Sequence, residues 1–369
     1  MNILIACDSF KDALDAPSVC RAIEQGLKLA DPSVSTRIFP LADGGEGLSD
    51  VLNHHLDLKK VEIEVNDPLF RKIKAAYNLS SDNKAAFIEM AQAAGLQLLT
   101  PEERNPLKTT TFGVGEMILN ALEKGAKHIV LGIGGSATND LGIGLAAALG
   151  WQFLDKNGEI LQPIGENLNE IRTTRPPQYN MTDDVIFEIL SDVKNPLLGK
   201  TGAAYVYARQ KGADDSAIEI LEQGAKNLIK TLKNLSEMTE IEGAGAAGGL
   251  GFGALFFLKA KLKRGIDAIM DLTDFDKQAA WADVIFTGEG QLDSQTAHGK
   301  LIAGIISRAQ QKPVIALCGA LEMPPQYIKE LGLKAAFPIA QKPCTLSEAL
   351  SLTHENLEKT AFNIGKILL

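Results

Sequence analysis

Charged and hydroxyl side chains in this sequence gather beside glycine-rich stretches. Four such stretches stand out: Gly44-Gly45-Glu46-Gly47, Gly132-Ile133-Gly134-Gly135, "GAGAAGGLGFGA" at residues 243–254, and Thr287-Gly288-Glu289-Gly290. Glycine permits positive φ and close backbone approach, so N–H groups can converge on an anion, and a following helix N-terminus adds a favourable dipole. One glycine turn serves any tight connection. Four, each at an expected strand or helix boundary, point to a polyphosphate site.

Phosphoryl transfer requires positioning, cationic donors, a magnesium ion and a carboxylate to take the acceptor's proton. Lys11, Lys211 in "RQKGA", Arg264 in "KRGID" and Lys300 in "HGK" are candidate cations. Asp8, Asp43, Asp140, Asp192, Glu289 and Asp293 are candidate bases or magnesium ligands. Gly134 and Gly135 would admit an anion, and Ser136 and Thr138 offer hydroxyl donors. Asn139 and Asp140 divide between facing a ligand and capping a helix that begins at Leu141. His298, in a polar loop, reads as exposed rather than catalytic.

Two other nucleotide signatures are incomplete. Gly243-x-Gly245-x-x-Gly248 matches the spacing of a dinucleotide fingerprint, with Asp267 downstream for a ribose contact, but the preceding residues 236–242 are acidic rather than an apolar strand. Gly199-Lys200-Thr201 ends like a phosphate-binding P-loop, yet Lys194 stands where its first glycine belongs.

The elements that must carry these groups alternate. Apolar residues 3–6 form a strand, a helix follows with Pro17 in its first turn, and residues 36–39 form a second strand. Residues 61–90 alternate apolar and polar, broken at Asn66-Asp67-Pro68 and at residues 80–83, which predicts an antiparallel meander. Helices are expected at 113–124, 141–149 and 215–236, and strands at 129–133 and 185–190. Strands return at 284–286, 313–317 and 335–338. The expected fold is two dissimilar α/β domains. Residues 1–60 with 282–369 form a Rossmann-like parallel-sheet domain, and residues 61–281 an inserted mixed-sheet domain, with the site in the cleft between them.

Bulk properties narrow the partners. With 369 residues, 45% hydrophobic and 22% charged, the chain has the composition of a globular protein long enough for two cores. A formal net charge of −9 argues against nucleic acid or an anionic membrane as the main partner. No apolar run reaches the length of a membrane span or a signal peptide, so a cytoplasmic location is expected. Cys7, Cys20, Cys318 and Cys344 show no paired spacing, which predicts neither disulfides nor zinc. A homo-oligomer is compatible with all of this.

The motifs "DSFKDAL" (8–14), "PLADGGEG" (40–47), "GIGGSATND" (132–140), "SDVKNPL" (191–197), "RQKGA" (209–213), "GAGAAGGLGFGA" (243–254), "RGID" (264–267) and "TGEGQLDSQTAHGK" (287–300) resemble, in order and over nearly the whole chain, the bacterial glycerate kinase family of glycolate and glucarate catabolism. The resemblance implies ATP- and Mg2+-dependent phosphorylation of D-glycerate to 2-phosphoglycerate or 3-phosphoglycerate, in a two-domain α/β fold. A mechanism consistent with both the residues and the resemblance gives catalytic roles to Asp192, Lys11 and Lys211, with Asp192 as the base and Lys11, Lys211 and Arg264 as candidate cations for the glycerate carboxylate. Substrate or phosphate contacts are then expected from Asp8, Ser9, Asp43, Gly44, Gly45, Glu46, Gly134, Gly135, Ser136, Thr138, Asn139, Asp140, Asn195, Gly245, Gly248, Gly249, Arg264, Gly288 and Lys300. Asp293 or Glu289 is expected to hold magnesium. Two departures are visible: Arg209 stands where the family usually has proline, and Leu301-Ile302 replace a proline-containing stretch. A hydroxy-acid dehydrogenase and a non-catalytic nucleotide or sugar-acid binding protein are the alternatives.

Overall fold

A computed structural model describes residues 1–42, 48–179, 181–233, 235–292 and 300–368, with the side chains of 48–50, 236 and 300 outside the description. Its strands are β1 (Asn2–Ile5), β2 (Ser35–Ile38), β3 (Leu58–Asn66), β4 (Lys72–Ser80), β5 (Ala85–Glu89), β6 (His128–Gly132), β7 (Gln152–Leu154), β8 (Thr173–Arg175), β9 (Ile186–Leu190), β10 (Lys261–Lys263), β11 (Val284–Leu292), β12 (Val314–Leu321) and β13 (Ala335–Pro338). The chain divides into two compact units, Met1–Leu56 with Gly265–Leu369, and Asp57–Arg264. The division falls at 56/57 and 264/265, against 60/61 and 281/282 expected from the sequence. Helices Gly265–Leu272 and Phe275–Trp281, assigned to the insert by the sequence reading, group instead with the chain ends.

The first unit holds a wholly parallel sheet in the order β13-β12-β11-β1-β2. A parallel sheet needs cover on both faces, which is why its strands read as short, continuous apolar runs. One face buries Ile3, Ile5, Phe286 and Leu317 with Ile23 and Leu27 of helix Ala16–Ala30 and Leu357 and Ile364 of helix Thr353–Leu368. Asp15 starts the first of these helices, its carboxylate accepting from the Ser18 amide at 2.7 Å. In chain order the strands lie second, first, third, fourth, fifth. That doubly wound order puts a topological switch point between β1 and β11, where ligands bind at the carboxyl ends of the strands.

The second unit is built on a mixed sheet in the order β10-β9-β6-β5-β4-β3. Neighbours from β10 to β5 run parallel, and β5-β4 and β4-β3 run antiparallel. The expected meander is therefore present, with its first turn at the predicted break. There the Asp67 carboxylate accepts from the amides of Leu69 and Arg71 at 2.8 and 2.9 Å. A core of Ile88, Leu131 and Ile189 from the sheet packs with Val114, Met117 and Ile118 from helix Phe112–Glu123 and with Leu250 and Ala254 from helix Ala246–Phe257. A separate antiparallel pair, β7 with β8, lies outside this sheet.

Candidate active site

In the second unit the central feature is the carboxyl edge of two adjacent parallel strands. Gly132 at the end of β6 lies in register with Leu190 at the end of β9. The segments that leave these strands, Gly134 to Ser136 and Ser191 to Asp192, therefore emerge side by side. Gly134 and Gly135 are exposed, and Ser136 and Asp192 are half-buried. Gly135 adopts φ 69°, and its carbonyl accepts the Leu96 amide at 2.8 Å, which fixes the turn.

Lys211 reaches this edge from a single helical turn, Arg209–Lys211, and is 1% exposed. Its ammonium donates to Ser136 Oγ at 2.7 Å and to the Thr138 carbonyl at 2.7 Å. Burial pushes its pKa down to about 7, against the opposing influence of the Asp140 charge. Because Ser136 Oγ accepts from Lys211, its own O–H is left to be donated to another group. The pair can thus present a charge-assisted hydroxyl to an anion.

Asp140 is held by hydrogen bonds within the protein. Its carboxylate accepts from Thr111 N at 2.7 Å, Thr111 Oγ1 at 2.8 Å, Gly142 N at 3.1 Å and Gly144 N at 3.2 Å, and the residue is fully buried. It joins the starts of helices Phe112–Glu123 and Ile143–Ala148. Burial nevertheless raises its pKa, only partly offset by these hydrogen bonds. The helix expected from Leu141 starts at Ile143 because Leu141 and Gly142 are left-handed, at φ 53° and 74°.

Thr138 and Asn139 also turn inward. Both are essentially fully buried, and among the described residues Thr138 Oγ1 and Asn139 Nδ2 have no hydrogen-bond partner. Gly248 explains the inward turn: at φ 67° it sits so close that a Cβ would lie 2.0 Å from the Thr138 carbonyl. Gly245 and Gly249 are also buried, Gly245 against the Pro196 carbonyl and Gly249 against the Leu141 and Leu197 side chains, with Gly245 N donating to the Asn195 carbonyl at 3.0 Å. The 243–254 glycines pack closely against the segments at Thr138 and Asn195. Asn195 is likewise occupied, its amide donating to the Thr201 carbonyl at 2.8 Å and accepting from Tyr207 Oη at 2.6 Å. Arg264 is exposed, directly after β10.

In the first unit the segment after β1 carries Asp8, Ser9 and Lys11. The Asp8 amide donates to the Gly288 carbonyl at 3.0 Å, and its carboxylate accepts from the Ser9 amide at 2.7 Å. Ser9 and Lys11 are exposed. Gly288 is not in a loop, as expected, but inside β11, where a Cβ would meet the Leu317 carbonyl of β12 at 2.5 Å. Glu289 lies opposite Cys318 in that strand pair. Burial, with the Glu289 charge adding, pushes the Cys318 thiol up to about 12, so it is an inert buried thiol. Ser9, Lys11 and Glu289 line a cavity of about 730 Å³. Asp43, Gly44, Gly45, Glu46 and Asp293 lie outside the described residues, as does the side chain of Lys300, whose backbone starts helix Lys300–Arg308.

Against known proteins, the model of the glycerate kinase family matches residues 3–369. The chain is 43% identical to a glycerate kinase of Bacillus cereus, covering all of this chain and 98% of that one. The chain belongs to the glycerate kinase family. It is 36% identical to the glycerate 2-kinase of Escherichia coli, over all of this chain and 98% of the relative. The crystal structure of a candidate glycerate kinase 2 from Salmonella typhimurium LT2 matches with a TM-score of 0.89 at 39% identity, covering all of this chain and 98% of the other.

The protein is accordingly a phosphotransferase acting on glycerate, and a kinase implies ATP as the donor. The dehydrogenase alternative fails on the fold as well, since a short helix, Ser236–Thr239, stands where a strand should precede Gly243. Arg209 pairs with Asp215 beside the turn that delivers Lys211. Thr111 was missed by the sequence reading, because only the fold brings it to Asp140. No helix of the described residues is long and apolar enough to cross a membrane.

Proposed function

We propose that the protein transfers the γ-phosphoryl group of ATP to the 2-hydroxyl of D-glycerate, using the carboxyl edge of β6 and β9 to handle the acceptor. The observation that carries this reading is the buried Lys211 ammonium, held 2.7 Å from Ser136 Oγ beside the segment bearing Asp192. Lys211 and Ser136 hold the glycerate carboxylate. Asp192, half-buried next to them, takes the proton of the attacking hydroxyl. Lys11 neutralises phosphate charge. The 2-position is supported by the name of the Escherichia coli relative, a glycerate 2-kinase.

Magnesium binds through one or two carboxylates, substrate phosphates and water, so a dense acidic cage is not required. Glu289 on the cavity wall fits such a ligand set, and Asp293 is the second candidate from the sequence. When bound, the ion neutralises charge on the transferred phosphoryl group. The test is phosphorus NMR of the product from ATP, Mg2+ and D-glycerate. A 2-phosphoglycerate signal is expected, whereas a 3-phosphoglycerate signal contradicts the regiochemistry.

A further inference from the structure

The cavity of the first unit opens at the carboxyl ends of its parallel strands, between the segment after β1 and the walls supplied by β11 and β12. It lies at the switch point of a doubly wound sheet, the place such folds use for nucleotides. Its volume, about 730 Å³, is that of a pocket for a ligand much larger than glycerate. Phe10, Ile339 and Leu350 make apolar surface in it, and Lys11 and Lys342 bring cations that form no ion pair among the described residues.

Asn356 is the informative residue. It lines the cavity from helix Thr353–Leu368 and is 7% exposed. Its backbone amide donates to the Leu352 carbonyl at 2.9 Å, but its side-chain amide has no hydrogen bond among the described residues. Thr353 beside it is satisfied by the Ala349 carbonyl at 3.0 Å. On the cavity wall and without a protein partner, this amide is left to hydrogen-bond whatever enters the cavity.

We infer that this cavity is the nucleotide subsite: the adenine of ATP packs against Phe10, Ile339 and Leu350 with its amino edge on the Asn356 amide, and Lys11 and Lys342 serve the phosphates. A carboxamide offers a donor and an acceptor side by side, which matches the N7 acceptor and the amino-group donor of adenine. In guanine a carbonyl replaces that amino group, leaving the amide oxygen facing another acceptor. Glycerate, nearly all polar, would leave the apolar walls uncovered. The inference rests on the kinase reading, which supplies ATP as the donor.

The test uses the full chain and two variants, Asn356→Leu and Ala349→Trp, the second placing bulk on the cavity wall without touching the amide. Binding of the non-hydrolysable analogue AMP-PNP is measured by calorimetry, and KM is measured for ATP and for D-glycerate. Each variant is expected to weaken AMP-PNP and raise the KM for ATP by about tenfold, leaving the KM for glycerate unchanged. Asn356→Leu is further expected to shrink the preference for ATP over GTP. Photolabelling of the unaltered protein with 8-azido-ATP is expected to mark peptides within residues 339–356, a readout that needs no variant. Labelling elsewhere, wild-type AMP-PNP affinity in both variants, or a shift confined to the KM for glycerate overturns the assignment. Failure of the unaltered protein to phosphorylate glycerate, with AMP-PNP binding still lost in the variants, overturns the acceptor reading and leaves the subsite standing.

Discussion

The ammonium of Lys211 lies 2.7 Å from the hydroxyl oxygen of Ser136, inside a protein interior that leaves the lysine 1% exposed. An unfolded lysine holds its proton to about 10.4, whereas this one releases it at about 7. The ammonium form is the one that attracts a carboxylate. On that basis kcat/KM for glycerate is expected to fall on the alkaline side, with a limb near 7. Lys211→Arg is expected to lose the limb, because arginine stays charged. Persistence of the limb in the arginine variant would assign it to another group.

The same shift sets a stability trend. Between the folded and unfolded pKa values of Lys211 the unfolded chain binds more protons, so stability contributed at this position rises with pH across that window and is lost as pH falls through it. Lys211→Met is expected to stabilise the fold most below pH about 7, with the gain shrinking toward about 10.4. Urea titrations of both proteins across this range check it, and a gain that grows with pH would contradict it.

Asp140 predicts a loss of a different kind. Removing its carboxylate orphans four buried donors, on Thr111, Gly142 and Gly144. Asp140→Ala is expected to cost about 3 kcal/mol or more in urea unfolding, with the m-value unchanged. A stability near that of the unaltered protein, paired with a raised KM for glycerate, would return Asp140 to the ligand.

Two glycines separate packing from exposure. Gly248→Ala places a Cβ 2.0 Å from the Thr138 carbonyl at φ 67°, and is expected to cost about 3 kcal/mol or more. Gly135→Ala meets nothing closer than the Ala91 side chain at 3.5 Å, so only its positive φ is penalised, by about 1 kcal/mol. Thermal unfolding of the two variants should rank them in that order.

The strands were legible wherever both faces are covered, because burial leaves an uninterrupted apolar run such as that of β1 or β12. Composition misled at Thr287-Gly288-Glu289-Gly290, which reads as a turn but runs straight through β11. The glycine at 288 is required by the neighbouring strand, a relation no local pattern records. The close neighbours of the 243–254 glycines were hidden for the same reason, since they lie near residues 138 and 195. Asp140 was readable as a cap or a ligand contact, but its bond to the distant Thr111 was not readable. The burial of Lys211 was equally invisible, because the 3₁₀ turn and the Ser136 loop that enclose it are 75 residues apart.

The most direct measurement is steady-state phosphorylation of D-glycerate by the unaltered protein and by Lys211→Ala and Asp192→Asn, with ADP release followed in the presence of ATP and Mg2+. The unaltered protein is expected to release ADP only when glycerate is present. Asp192→Asn is expected to lower kcat by about a hundredfold or more, and Lys211→Ala to lower kcat/KM for glycerate by about as much. Near-normal turnover in both folded variants would contradict the assignment of the acceptor site to the carboxyl edge of β6 and β9.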